Sequence, residues 1–122
     1  MDMHLVHSDP TGKLVVVAIS LQLGDSNAVI RTLFSHLPAD KHKEHTFSNV
    51  QIDLTHLLPA DRGYYTFPGS LTTPPCTENV TWFVLKRPLN LASEEIERFR
   101  QRCPNNVRPT QPLPDRIVLQ SK

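Results

Sequence analysis

The sequence predicts a mainly β fold of the α+β kind, in which the helices are few and short. Three observations predict it. Strand-like alternation or continuous apolar runs occupy residues 2–7, 14–23 and 79–85. Helical spacing of apolar residues is confined to two brief stretches, 29–37 and 93–102. Eleven prolines in 122 residues, roughly twice the usual share of about 5%, interrupt the chain too often for long helix.

Residues 2–7 read as a first strand, with Asp2, His4 and Val6 on one face and His7 on the other. Asp9-Pro10-Thr11-Gly12 is a turn signal, because proline presets one dihedral and glycine accepts the left-handed one. Leu14 to Leu23 follows as a second strand, so the pair is expected to form a hairpin. Its first half, Leu14 to Ala18, is apolar on both faces, as in a strand with neighbours on both sides. Gly24-Asp25-Ser26 ends that strand and offers a helix cap. Val29, Ile30, Leu33, Phe34 and Leu37 then share a helical face that Pro38 closes, and residues 39–46 form a polar loop.

Leu54, Leu57 and Leu58 are expected to pack a short turn before Pro59, and Tyr64 to Phe67 a short strand broken by Pro68-Gly69. In the strand from Asn79 to Leu85, Val80, Trp82 and Val84 share one face and Thr81, Phe83 and Leu85 the other. Ser93 is the expected cap of a second helix, with Glu94 and Glu95 in its first turn and Arg98, Arg100 and Arg102 toward its end, as the helix dipole favours. Ile96 and Phe99 give that helix a narrow buried stripe before Pro104. The tail carries Pro109, Pro112 and Pro114 before Ile117-Val118-Leu119, a candidate edge strand.

Composition excludes several classes. Thirteen basic and 12 acidic side chains leave a net charge of +1, which argues against a nucleic-acid surface. The longest apolar run, Leu14 to Ile19, is far from the about 20 residues that span a bilayer, so no membrane partner is expected. The length suits one domain or part of one. The chain opens in apolar alternation at Met1-Asp2-Met3-His4, without the basic start and apolar stretch of a secretory signal. It is therefore expected to be a fragment or to carry a misplaced start. A strand lacking its neighbours exposes backbone and apolar faces, so self-association through exposed strands is expected as well.

Six histidines, His4, His7, His36, His42, His45 and His56, are the metal-ligand candidates. His42 and His45 lie in the charged loop and read as solvated; His36 ends a helix and reads as answering its dipole. His4 stands apart because Asp2, two residues away on the same face, is placed to accept the proton of the ring's other nitrogen, as partners of metal-bound histidine do. A histidine satisfied by that aspartate without any metal is the alternative. The stretch Pro68-Gly69-Ser70-Leu71-Thr72-Thr73-Pro74-Pro75-Cys76 sets two adjacent hydroxyls on a stiff loop, with Gly69 allowing a sharp entry. Such a loop holds a hydroxyl where it can orient a water or an oxyanion, or it is simply a tight turn.

Three segments resemble the alpha-class carbonic anhydrases: residues 3–16, residues 64–85 with Gly-Ser-Leu-Thr-Thr-Pro-Pro followed by Val-Thr-Trp, and Arg108-Pro-Thr-Gln-Pro-Leu113. The likeness runs collinearly through the chain and corresponds to the C-terminal portion of such a domain, residues 1–122 being a partial domain with no second one. It implies a large twisted, mostly antiparallel sheet with short peripheral helices. It implies reversible hydration of carbon dioxide to bicarbonate at a Zn²⁺ held by three histidines, for which carbonic anhydrase is the reference case. By motif position His4 matches the third zinc ligand, and Asp2 the acid that orients it, where the family often has Glu. Thr72 matches the hydroxyl that accepts a hydrogen bond from the attacking hydroxide, and Thr73 the neighbour lining the bicarbonate site. Val6, Val16, Leu71, Val80 and Trp82 match the apolar wall for carbon dioxide, and the Pro74-Pro75 bond would be cis.

The departures weigh as much. The family's other two zinc ligands form a His-x-His pair, and no His-x-His occurs in these 122 residues. The acid that receives the Thr72 hydrogen bond and the usual proton-shuttle histidine have no counterpart. Phe67 replaces a frequent Tyr, and Val107 a common Trp. In exported members the position of Cys76 pairs with a cysteine of the N-terminal part, which would leave Cys76 and Cys103 unpaired or joined to each other. The chain alone is therefore expected to bind zinc weakly and to be inactive. A silent carbonic-anhydrase-like binding module or a non-functional truncated fragment is the alternative.

Overall fold

The computed structural model describes residues 1–38, 40, 43–113 and 115–122. Ala39, Lys41 and His42 of the expected polar loop, and Pro114 of the tail, lie outside the described residues.

The first two strands, β1 (Asp2–Ser8) and β2 (Leu14–Leu23), form the expected antiparallel hairpin, with His4 opposite Ala18 and Val6 opposite Val16. The turn closes where the sequence puts it. The Gly12 amide donates to the Asp9 carbonyl at 3.0 Å, and Gly12 has φ +84°, a conformation that a side chain would strain. The Asp9 carboxylate accepts from the Thr11 hydroxyl, the Thr11 amide and the Lys13 amide at 2.7–2.9 Å. These bonds, the Thr11 hydroxyl's first and the Lys13 amide's next, hold the Asp9 carboxyl below the usual aspartate range. A lowered carboxyl pKa stabilises the turn fully above the unfolded value, and the contribution is lost as pH falls through Asp9's own lower value. Carbon-detected NMR titration should therefore give Asp9 a midpoint below that of an unstructured aspartate. Thr11→Val should move it back upward, and no movement would mean that the hydroxyl is not the cause.

β2 is central. Its first half also pairs in parallel with β4 (Glu78–Leu85), Val16 opposite Trp82 and Leu14 opposite Val80. Its far end pairs in parallel with β5 (Leu89–Leu91), three residues too short to announce themselves in the sequence. β3 (Tyr64–Ser70) runs antiparallel to β4, and β6 (Leu119–Gln120) antiparallel to β3. The order is β1-β2-β4-β3-β6, with β5 beside β2, so three of these pairings are antiparallel and two parallel. The final strand is shifted from the expected Ile117-Val118-Leu119, of which only Leu119 is paired.

β3 does not break at Pro68-Gly69 but continues to Ser70, with a register shift after Gly69. Hydrogen-bonded pairing starts with the Lys86 amide on the Gly63 carbonyl and alternates along the ladder, so Pro68 falls where the strand's amides face away from β4. β6 reaches only Tyr65 and Thr66. A missing N–H costs nothing at that free edge.

Side chains in register share a face. Asp2, His4 and Val6 therefore lie on the same face as Val16, Ala18, Val80, Trp82 and Val84. The helices cover the other. There Leu21, Ile30, Leu57 and Leu91 form a buried cluster, joined by Met3, Val29, Leu33, Phe34, Leu89 and Ile96. Helix α1 (Ala28–Ser35) is capped by Asn27 and not by Gly24-Asp25-Ser26, because the extended Asn27 lets its Oδ1 accept from the Val29 and Ile30 amides. It ends at Ser35, before Leu37, and the His36 Nδ1 meets the Thr32 carbonyl at 2.7 Å. Asp53 caps a single 3-10 turn, Leu54–Leu57.

Helix α2 (Ser93–Arg102) has Ala92 as its cap residue, which places Ser93 inside the helix. Glu95 takes over the polar work. Its carboxylate accepts from the Ala92 amide at 2.9 Å and from the Ser26 hydroxyl at 2.8 Å. Glu95 is thus buried, whereas Ile96 and Phe99 of the expected stripe are only half-buried, Phe99 stacking on Phe34. The apolar contact is modest, and the buried carboxylate with both oxygens bonded ties α2 to the β2–α1 turn.

Candidate functional site

Trp82 organises the face that carries His4. It is buried between Val16 and Val80 in a cluster completed by Ala18, against which Leu14, Phe67, Leu71 and Val84 pack. The His4 ring meets the indole edge-on, centroids 5.0 Å apart and planes at 85°, an orientation that the aromatic quadrupole favours. The Phe67 ring lies parallel to the indole on another side, centroids 6.4 Å apart. The indole Nε1–H donates to the Ser70 carbonyl at 3.1 Å, where β3 leads into the threonine loop. One side chain therefore touches both His4 and the stem of the loop.

Gly69 is needed here for a different reason from the expected sharp entry. A Cβ on it would stand 2.8 Å from Trp82 Cδ1 and 3.0 Å from Nε1, so the missing side chain is what lets the indole lie against β3. The turning is done further on. Cys76 has φ +58° and Asn79 φ +64°, and the Pro74-Pro75 bond is cis. The Leu71 amide donates to the Thr77 carbonyl and the Cys76 amide to the Thr73 carbonyl, both at 2.9 Å, closing the loop at two levels. Thr72 and Thr73 stand exposed at its tip.

The residues expected to line an apolar wall are brought together on this face, though unequally. Val16 and Val80 are 0% and 1% exposed and are sealed, while Val6 is 58% exposed. Leu71 is half-buried against the Trp82 cluster, so the loop beside Thr72 rests on the same cluster that His4 touches. A groove of about 380 Å³ runs past His4, Leu5, Val6 and His7 toward Leu54, Thr55 and Leu58.

Asp2 has a different partner from the one its spacing suggested. Its carboxylate accepts from the Ser20 hydroxyl at 2.9 Å, and among the described residues no hydrogen bond joins it to His4. The reason is geometric: two residues along a strand span about 6.6 Å, whereas a directly opposite cross-strand neighbour lies about 4.5–5.5 Å away. His7 faces away from His4, as the alternation predicted, with Nδ1 3.1 Å from the Leu5 carbonyl. His36 and His45 meet Phe47, and His56 is exposed on the 3-10 turn. His42 lies outside the described residues. Cys76 and Cys103 are both half-buried free thiols.

The residues present do not make a zinc site. Such a site takes three protein ligands at least, and among the described residues no three His, Cys, Asp or Glu side chains converge. Among the described residues, His4 is not joined by the two further ligands that such a site takes. No helix is long and apolar enough to cross a membrane among the described residues.

Comparison with known proteins agrees with these features. Residues 1–122 match the family described as eukaryotic-type carbonic anhydrase. The chain is 39% identical over 121 residues to a carbonic anhydrase of Nostoc sp., covering 99% of this chain and 46% of the relative. It is 43% identical over 122 residues to one of Klebsiella pneumoniae, covering 98% and 49%. Among solved structures, the alpha-carbonic anhydrase of Thermovibrio ammonificans with the inhibitor sulfanilamide superposes with a TM-score of 0.90 at 36% identity, over 96% of this chain and 52% of that one. The Photobacterium profundum alpha-carbonic anhydrase gives 0.88 at 38% identity, over 96% and 54%. The chain thus spans about half the length of the curated relatives it matches. On its sequence, its sheet and the loop that meets Trp82, this chain belongs to the eukaryotic-type carbonic anhydrase family.

Proposed function

We propose that this chain supplies the His4 and Thr72 half of a site for the reversible, zinc-dependent hydration of carbon dioxide to bicarbonate. In this reading it is a partial carbonic anhydrase domain. The observation that carries the reading is the double engagement of Trp82, edge-on with the His4 ring at 5.0 Å and hydrogen-bonded to the stem of the threonine loop. His4 is the one metal ligand the chain contributes. Thr72 supplies the hydroxyl that orients the attacking oxygen, and Thr73 lines the bicarbonate side. Val6 and Leu71 present apolar surface to carbon dioxide, with Val16, Val80 and Trp82 as the wall behind them. Asp2, held by Ser20, sets the position of β1.

Because zinc needs two further histidines, the 122 residues alone are inactive in this reading. Its support is that, among the described residues, no three ligand side chains converge at His4, together with the half-length match to the relatives. The purified chain should bind zinc at substoichiometric levels in a competition titration. In a stopped-flow indicator assay it should hydrate carbon dioxide at the buffer rate. Stoichiometric zinc with inhibitor-sensitive hydration would overturn the inactivity.

The same preparation tests self-association, which we place at β1. The ladder begins with Met1 and Leu21 exchanging backbone bonds, so the amides and carbonyls of Asp2, His4, Val6 and Ser8 face away from β2 at the end of the sheet. β1 carries none of the lysines or prolines that protect edge strands. Sedimentation velocity should show dimers or larger species, and Val6→Lys should shift them toward monomer. A monomer at every concentration would remove this part of the proposal.

A further inference from the structure

Arg108 belongs to a motif that the reading above leaves without a role. Its Nη1 donates to the Ser70 hydroxyl oxygen at 3.1 Å and to the Leu71 carbonyl at 3.3 Å. The Ser70 hydroxyl in turn donates to the Leu71 carbonyl at 3.0 Å. The Ser70 carbonyl is taken by the Trp82 indole and the Leu71 amide by the Thr77 carbonyl. Every polar group of the two residues before Thr72 other than the Ser70 amide is thus engaged, and the guanidinium accounts for two of these contacts from 37–38 residues away in sequence.

Thr72 and Thr73 are exposed, so burial of their own side chains does little to hold them. Their placement must come from the anchors on either side. Among the described residues no carboxylate lies within ion-pair distance of Arg108, so the guanidinium spends its hydrogen bonds on neutral loop acceptors and not on a counter-ion. Arginine suits the task because its N–H groups project in a fixed planar fork, whereas a lysine is a flexible point donor. The half-buried Arg108 side chain also borders a cavity of about 550 Å³ shared with Ser70, Cys76 and Glu78, and its two hydrogen bonds hold its head on the loop side of that space.

We infer that Arg108 is a positioning residue for Thr72, a side chain of the C-terminal segment that fixes the height and direction of the threonine loop through Ser70 and Leu71. The inference rests on Thr72 being the working hydroxyl, but its test does not, because it reads loop order and not catalysis. In the 122-residue chain, Arg108→Met should raise amide hydrogen exchange at Leu71 and Cys76 by about tenfold or more, while exchange in Val16 to Ile19 changes by less than about twofold. The Thr72 side-chain coupling constants should move from a single rotamer toward averaged values. Arg108→Lys should recover part of the order, and Ser70→Ala, which removes one of the two acceptors, should loosen the same residues to a smaller degree.

A uniform rise in exchange across β2 and β4 would show a merely structural arginine and overturn the inference. So would an unchanged loop beside a loosened segment 104–113, since the loop would then be holding the arginine. If Arg108→Met fails to fold, Ser70→Ala and Arg108→Lys decide between the same outcomes. Failure of the carbon dioxide reading would appear separately, in the zinc titration and the hydration assay, with the loop measurements unaffected.

Discussion

Trp82→Ala is expected to lower the unfolding free energy by about 3–5 kcal/mol and to disorganise the His4 face in the same step. The indole is 8% exposed and fills the space between Val16 and Val80, so truncation leaves a cavity that the rigid strands on either side cannot close. It also removes the edge contact to His4 and the bond to the Ser70 carbonyl. Trp82→Phe separates these effects. It keeps most of the apolar contact but lacks the N–H, and a lost hydrogen bond of this kind costs about 1 kcal/mol. Trp82 is the sole tryptophan, so unfolding in urea is followed by circular dichroism. The His4 ring resonances and the Leu71 amide exchange report the site. Both should change in Trp82→Ala, whereas Trp82→Phe should raise the Leu71 exchange and shift the His4 resonances less than Trp82→Ala does. If neither moves in Trp82→Ala, the organising role assigned to the indole is wrong.

Ile30→Ala should cost about 2–5 kcal/mol and leave the His4 face as it is. Ile30 is 1% exposed and packs with Leu21, Leu57 and Leu91 on the side of the sheet that the helices cover. Its loss loosens α1 over β2. The site cluster of Val16, Ala18, Val80 and Trp82 is a separate set on the opposite face. The expected signature is a lower urea midpoint with unchanged His4 ring shifts in the folded chain, the reverse of the coupling expected for Trp82. A His4 shift as large as that of Trp82→Ala would show that the two faces respond as one body and that the division drawn here is false.

Both variants rest on faces, and faces are legible in the sequence. Alternation in residues 2–7 and 79–85 is local, and it assigns His4 with Val6 and Trp82 with Val80 independently of any strand pairing. The double-sided apolar run of Leu14 to Ala18 likewise announced a central strand, and β2 does lie between β1 and β4. The loop was legible as an unusual run of Thr and Pro, though its anchors were not. Arg108 in particular carried no signal beyond its motif. The places where local reading stopped short share a cause. Ser93 looked like a cap until Glu95 took the Ala92 amide and the Ser26 hydroxyl, and Pro68 looked like a strand end until the ladder put it on a free edge. Gly69 reads locally as a sharp entry to the loop, whereas its missing side chain is what admits the Trp82 indole.

The amino-acid sequence by itself determined the cores of β1, β2, β4 and the two helices, the face each residue of those strands occupies, the Asp9 turn and the family. All of these are written in spacings of a few residues or in contiguous motifs. Tertiary structure alone decided the parallel pairing of β2 with β4 and β5, the partner of Asp2, the burial of Glu95 and the grip of Arg108 on the threonine loop. The last three depend on groups that meet across 18, 69 and 38 residues of chain, and the strand pairings are as distant. A hydrogen-bond donor does not reveal in its own neighbourhood which of many acceptors the packed sheet will bring within 3 Å of it.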